Sequence, residues 1–300
     1  MSDKKKLYIL IIIDSVYNIY EDLLFIVKHS LDVSGYSNTY VYYHVAVENG
    51  LLKNDEETQC VILGTQYLQH NFHIPLGSIL MDFDHLDWID NRLDKDLVLN
   101  NKIVTYSSVN ANYIQDKYNK TNISLFTFGY SQYLDYGYIH NPTYEYDVCF
   151  LGTILGGRRE PIINTLKERY KCYVHEHIVL PEGNSNMTDM KHIIKGEERA
   201  KLYAKSKIVL SIAFTDEYLT NSNASRIFPA VSTGAFVVSE RCLDEFQNQS
   251  ADKICVNVRL QELYEMIDYY VHHDEEREKK RWEHYNNVKQ LQPLFEYDNY

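Results

Sequence analysis

Tryptophan, cysteine, methionine and proline are scarce in this chain of 300 residues, with two Trp, five Cys, five Met and six Pro. The cysteines are Cys60, Cys149, Cys172, Cys242 and Cys255. They are odd in number and hold no CxxC pair, which argues against a zinc site or a disulfide framework and fits a reducing, cytoplasmic setting. Long apolar runs are missing as well. No stretch approaches the roughly 20 apolar residues of a membrane span. The run 7–13, preceded by Lys4, Lys5 and Lys6, stops at Asp14 with no small-residue cleavage site, so it reads as a first buried strand rather than a signal peptide. Basic residues are in deficit, 30 Lys+Arg against 42 Asp+Glu, for a net charge of −12. That balance argues against a general binder of nucleic acid or of anionic membranes. The first strand is not followed by GxGxxG; Asp14, Ser15 and Val16 stand there instead, so a dinucleotide enzyme is not expected.

Tyrosine is abundant, at 27 residues, within a chain that is 45% hydrophobic. Tyr, Asn, Ile and Lys share AT-rich codons, so the excess points to genome composition before a Tyr-rich sugar surface. Strand-like apolar runs alternate with helical patterns. Strands are expected at 6–13, 40–46, 59–63, 78–81, 103–106 and 124–128, with helices near 19–31 and 109–118. The polar, Tyr-rich stretch 131–147 reads as a linker. Alternation restarts with strands at 148–151, 172–175, 208–212, 236–238 and 253–256. Helices are expected at 161–170, 197–205, 260–272 and 275–290, the last highly charged and so placed on the surface. This order implies an α/β fold with parallel sheets.

One segment, NSNASRIFPAVSTGAFVVSE at 221–240, carries chemistry. Ser225 is placed to cap a helix starting at Arg226, Gly234 to stop it, and a buried strand to follow. A helix N-terminus favours anions, and an arginine there can grip two phosphate oxygens. The segment resembles the donor-binding helix of GT-B glycosyltransferases, in particular the CgeB-like branch, whose pattern is roughly Asn/Arg-x-Phe-Glu-Ala followed by Gly, an apolar strand and an acid. Residues 146–160 and 197–212 resemble the same family's preceding blocks, in the same order. The resemblance implies two Rossmann-like domains facing a cleft: 1–140 on the acceptor side, 141–273 on the nucleotide-sugar side, and a C-terminal helix, 274–300, that braces them. It also implies sugar transfer from a nucleotide-sugar donor, without metal or other cofactor, to an acceptor that is a glycan, a protein or a small molecule.

The residues expected to hold the donor are Gly156, Gly157, Arg158, Arg159, Asn223, Arg226, Gly234 and Glu240. Glycines let backbone approach a ligand, and arginines offset the charge that builds on a departing nucleoside diphosphate. Arg226 is the expected catalytic cation, and Asp14, ending the first strand, the expected base. Glu240 is read either as a nucleoside contact or as a solvated acid, and Asn221 and Asn223 either as ligand contacts or as caps. His44 reads as structural before catalytic. Asp82 and Asp84 form an Asp-x-Asp pair, for which chance is favoured over metal binding. Pro229 departs from the pattern, since it stands where the family's Glu is expected to hold the ribose hydroxyls. That leaves open a degenerate relative that binds nucleotide or sugar without transfer.

Overall fold

The computed structural model describes residues 6–12, 17–64, 73–82, 95–121, 123–140, 142–152, 154, 157–175, 194–213 and 224–295. The chain divides into two compact units, 1–128 with 293–300, and 129–292. The first unit therefore ends ahead of the expected boundary at 140, and the expected linker belongs to the second. Within it, Leu134 and Ile139 on two short 3-10 turns are buried.

In the first unit the strands are β1 (Leu7–Ile12), β2 (Ser37–Tyr42), β3 (Thr58–Leu63), β4 (Ile79–Asp82), β5 (Lys102–Thr105), β6 (Ile123–Thr127) and β12 (Leu294–Phe295). They form one sheet in the order β12-β6-β5-β4-β3-β1-β2. Every pairing is parallel except that of β12 on β6. Strands β3 and β4 are buried at every position, as expected of a parallel sheet covered on both faces. The expected strand at 40–46 is cut short. The chain turns at Tyr43 into helix α2 (Tyr43–Glu48), on which His44 is exposed and stacks on Tyr42 at 6.0 Å. Helices α1 (Tyr17–Val33), α3 (Lys95–Asn100) and α4 (Ser108–Tyr118) complete this unit's described helices. Helix α4 starts at the cap Ser107, whose Oγ accepts from the Asn110 N–H at 3.2 Å.

The second unit holds β7 (Tyr146–Leu151), β8 (Cys172–His175), β9 (Ser206–Ser211), β10 (Val237–Glu240) and β11 (Val256–Val258), all parallel, in the order β11-β10-β9-β7-β8. This is the doubly wound order whose chain direction switches between β7 and β9. Its helices are α5 (Arg159–Arg169), α6 (Gly196–Ala204), α7 (Ala224–Ser232), α8 (Glu245–Ile254), α9 (Leu260–His272) and α10 (Asp274–Gln290). Val148, Phe150, Leu166, Leu210, Phe236, Leu263 and Ile267 build its core. Helix α8 replaces the expected start of a strand at 253, and β11 begins only at Val256.

Helix α10 lies on the surface, as expected, but buries one stripe against the rest of its unit. Arg277, Arg281, His284, Tyr285 and Val288 are buried at helical spacing. The arginines sink because their heads find both carboxylates, Asp274 for Arg277 and Glu278 for Arg281, and carbonyls. Arg277 Nη1 donates to Tyr270 O at 2.8 Å, and Arg281 donates to Gly234 O at 3.1 Å and to Ile139 O at 2.9 Å. The helix lies in the second unit, and the segment that returns to the first is 293–300, through β12.

His284 stacks on Phe236 at 5.7 Å, and burial lowers its pKa to about 4. An unfolded histidine, near 6.5, takes up a proton first as pH falls. The histidine's stability contribution is therefore complete above pH 6.5 and is lost as pH drops towards 4. Between pH 7.5 and 5 the wild type should lose on the order of 2 kcal/mol more than His284→Phe in urea titrations. Equal losses would show that His284 does not set the acid limit.

Candidate functional site

In a doubly wound sheet, ligands bind beyond the carboxyl ends of the strands at the switch point. In the second unit that place lies beyond β7 and β9. Three side chains, Arg159, Arg226 and Glu240, bond the Ile212–Ala213 backbone just past β9, and a fourth, Arg158, joins them through Glu240. The loop after β7 delivers Arg158 and Arg159 at the head of α5, the third residue of α7 delivers Arg226, and the end of β10 delivers Glu240.

Glu240 is 2% exposed, and its carboxylate is fully engaged. Oε2 accepts from Arg158 Nη1 at 2.6 Å and from the Ala213 N–H at 3.0 Å, and Oε1 accepts from Arg158 Nη2 at 2.6 Å. Glu240 is thus not solvated; it is the bidentate partner of Arg158, a geometry that matches fork to carboxylate. Arg159 is 1% exposed. Its Nε and Nη2 donate to Ile212 O at 3.1 and 2.8 Å, and its guanidinium lies over the Phe150 ring at 5.4 Å. It ties α5 to β9, its guanidinium buried rather than solvated. Arg226 is exposed, and its Nη1 reaches Ile212 O at 3.4 Å. Of the three arginines it is the one whose side chain is presented to solvent.

Helix α7 begins at Ala224, so Ser225 is its second residue and not its cap. Pro229 is then the sixth residue, inside the helix, where a nitrogen would have bonded the Ser225 carbonyl. It is not an early position whose N–H is spare. Phe228, Val231 and Ser232 are buried, as the helical face requires.

Gly234 stops α7 with φ +86°, its N–H donating to Val231 O at 2.9 Å and that of Ala235 to Ala230 O at 3.2 Å, a Schellman closure. It sits at the opposite end of α7 from Arg226, packed on Ile139, and its role is structural. Gly157 is described as half-buried, its carbonyl accepting from the Glu160 N–H at 3.3 Å. Asp14, Gly156, Asn221, Asn223 and Asp84 lie outside the described residues. Asp82 is 2% exposed, and its Oδ2 accepts from Thr105 Oγ1 at 3.2 Å and Asn110 Nδ2 at 3.0 Å, so it ties β4 to β5 and α4.

Beside the Arg158–Glu240 pair an open pocket of about 490 Å³ lies at the carboxyl ends of β10 and β11. Arg241, Cys242, Leu243 and Arg259 are among its walls. Burial pushes the Cys242 thiol up to about 11, which makes it a poor nucleophile at neutral pH. Arg158 and Glu240 in its wall were read from the sequence, whereas Arg241, Cys242, Leu243 and Arg259 carried no signal because they belong to no recognisable motif.

No helix among the described residues is long and apolar enough to cross a membrane. No curated protein matches the chain in sequence. Residues 158–291, from Arg158 through α10, match the model of the glycosyl transferase-like family. In structure the chain is similar to a glycosyltransferase from Rickettsia africae ESF-5, with 10% identity and a TM-score of 0.56 over 97% of this chain and 95% of that one. It is also similar to the sucrose-phosphate synthase of Thermosynechococcus elongatus, with 9% identity and a TM-score of 0.55 over 96% and 95%. A third likeness is to TarM, with 10% identity and a TM-score of 0.52 over 83% of this chain; the chain spans 54% of TarM.

Proposed function

We propose, for a chain that has the GT-B glycosyltransferase fold and whose residues 158–291 match the glycosyl transferase-like family, that it transfers a sugar from a nucleotide-sugar donor without a metal. The carrying observation is the cluster at the switch point in which Arg159, Arg226 and Glu240 bond the Ile212–Ala213 backbone and Arg158 pairs with Glu240. Transfer leaves negative charge on the departing diphosphate, and fixed guanidiniums stabilise it without reorganisation. Arg226, exposed in the first turn of α7, contacts the diphosphate. Arg158 and Arg159, already held by Glu240 and Ile212, add positive potential and keep the loop after β7 in place. Gly156, Gly157 and Asn223 bring backbone and amide donors to the same ligand. The second unit is then the donor side and the first the acceptor side, with Asp14 as base. The odd number of cysteines and the lack of a CxxC pair support a cytoplasmic setting.

Arg226→Ala should weaken nucleoside diphosphate affinity by about tenfold or more, the worth of a hydrogen bond to a charged group. The melting temperature should hold, because the side chain is exposed. Calorimetric titration reads both affinities, and equal affinity in a folded variant removes Arg226 from the site. The competing reading, nucleotide binding without transfer, starts from Pro229, which stands in place of a ribose-binding acid. Release of free or transferred sugar from a bound donor separates the two.

A further inference from the structure

The pocket beside Glu240 has three arginines in its walls, and the chain itself supplies carboxylates for two of them. Arg158 is matched by Glu240. Arg241 sends Nη1 to both oxygens of Asp252, at 2.7 and 2.9 Å, and Nη2 to Glu245 at 3.1 Å. Arg259 is exposed, and its guanidinium makes no hydrogen bond or ion pair among the described residues. Its main chain is what is engaged: its N–H donates to Glu262 Oε2 at 3.2 Å, and its carbonyl accepts from the Glu262 N–H at 3.0 Å. The two acids in the pocket wall do not answer it. Glu240 is taken by Arg158 and Ala213, and Glu245 by Arg241 and Asn248. Leu243, 69% exposed, lines the same pocket.

We propose that this pocket is a subsite for the acidic group of a sugar substrate. A carboxylate or phosphate takes the fork of Arg259, as Glu240 takes that of Arg158, and the apolar face of the sugar ring lies on Leu243. Arginine suits this because its planar donors match two oxygens at once. The sugar in this inference rests on the transferase reading; the recognition of an anion does not.

The test is a titration of the full chain, and of Arg259→Gln, with D-glucuronate, D-glucose 6-phosphate and D-glucose, read by ligand-observed NMR. At least one acidic probe should bind about tenfold or more tightly than glucose, and Arg259→Gln should remove that margin. The nucleotide affinity and melting temperature of the variant should stay at wild-type values. The tighter of the two acidic probes identifies the group as carboxylate or phosphate. Equal binding of all three sugars, or a preference that survives in Arg259→Gln, overturns the proposal. A chain that binds glucuronate through Arg259 but binds no nucleotide would defeat the transferase reading and leave this subsite standing.

Discussion

Gly234→Ala should cost about 2–5 kcal/mol of stability, the sum of a left-handed backbone penalty and an overpacking penalty. Gly234 has φ +86°, where a side chain strains the backbone. A Cβ built there would sit 2.7 Å from Ile139 Cβ, 2.9 Å from Ile139 Cα and 3.1 Å from Ile139 N. Two of those three atoms are backbone, so no rotamer change relieves the clash. The Gly234 carbonyl also receives Arg281 Nη1 from α10, so a shift of the turn breaks a buried hydrogen bond as well. Gly137→Ala is the matched control in the same unit. Its φ is +73°, and nothing lies within 4 Å of the added Cβ, so it carries only the backbone cost, about 1–2 kcal/mol. Urea unfolding of both variants measures the difference. Equal losses would mean that the turn after α7 moves aside from Ile139 without resistance.

Glu240→Ala should cost about 3–5 kcal/mol, because it leaves a mostly buried arginine without its carboxylate. Arg158 is 15% exposed and Glu240 2%, with both Nη–Oε distances at 2.6 Å. The substitution also takes the acceptor from the Ala213 N–H. Removing both charges should be far milder, since an apolar pair of similar volume avoids the desolvation penalty. The double variant Arg158→Met/Glu240→Leu should therefore recover most of the loss. A double-mutant cycle should give a coupling above about 2 kcal/mol, within the range for residues in one network. Two single variants that each cost under 1 kcal/mol would show that the pair is not what holds the loop after β7 to β10.

The parallel architecture was legible because buried central strands are short apolar runs, as at β3 and β4. Helix α9 was legible to the residue: Leu263, Ile267, Tyr270 and Val271 are apolar at helical spacing. The buried stripe of helix α10 was not legible because it is built from Arg277, Arg281 and His284, whose polar heads are satisfied by carbonyls, carboxylates and ring stacking that hydropathy cannot register. Helix α8 was missed for a related reason, since its buried face includes Gln247 and Asn248. Residues 40–46 read as one strand because their β-branched and aromatic side chains favour one, and tertiary context turned the chain into α2 at Tyr43. At the site, the motif in 221–240 brought out Arg226 and Glu240 as residues. It could not show that Glu240 is the partner of Arg158, which lies 82 positions earlier and meets it only through the sheet order. Arg159 and Arg158 are neighbours of one type, yet one is frame and the other an ion pair. That distinction comes from the tertiary partners and burial each one finds.

The most direct test of the donor site is calorimetric titration of the full chain with UDP, GDP, dTDP and CMP in the presence of EDTA, paired with melting curves. One nucleotide should bind, and at 100 times its dissociation constant it should add about 2.7 kcal/mol of stability, a rise of a few degrees in Tm. Absence of heat and of any melting shift with all four at millimolar concentration would contradict a metal-free nucleotide-sugar site at Arg226.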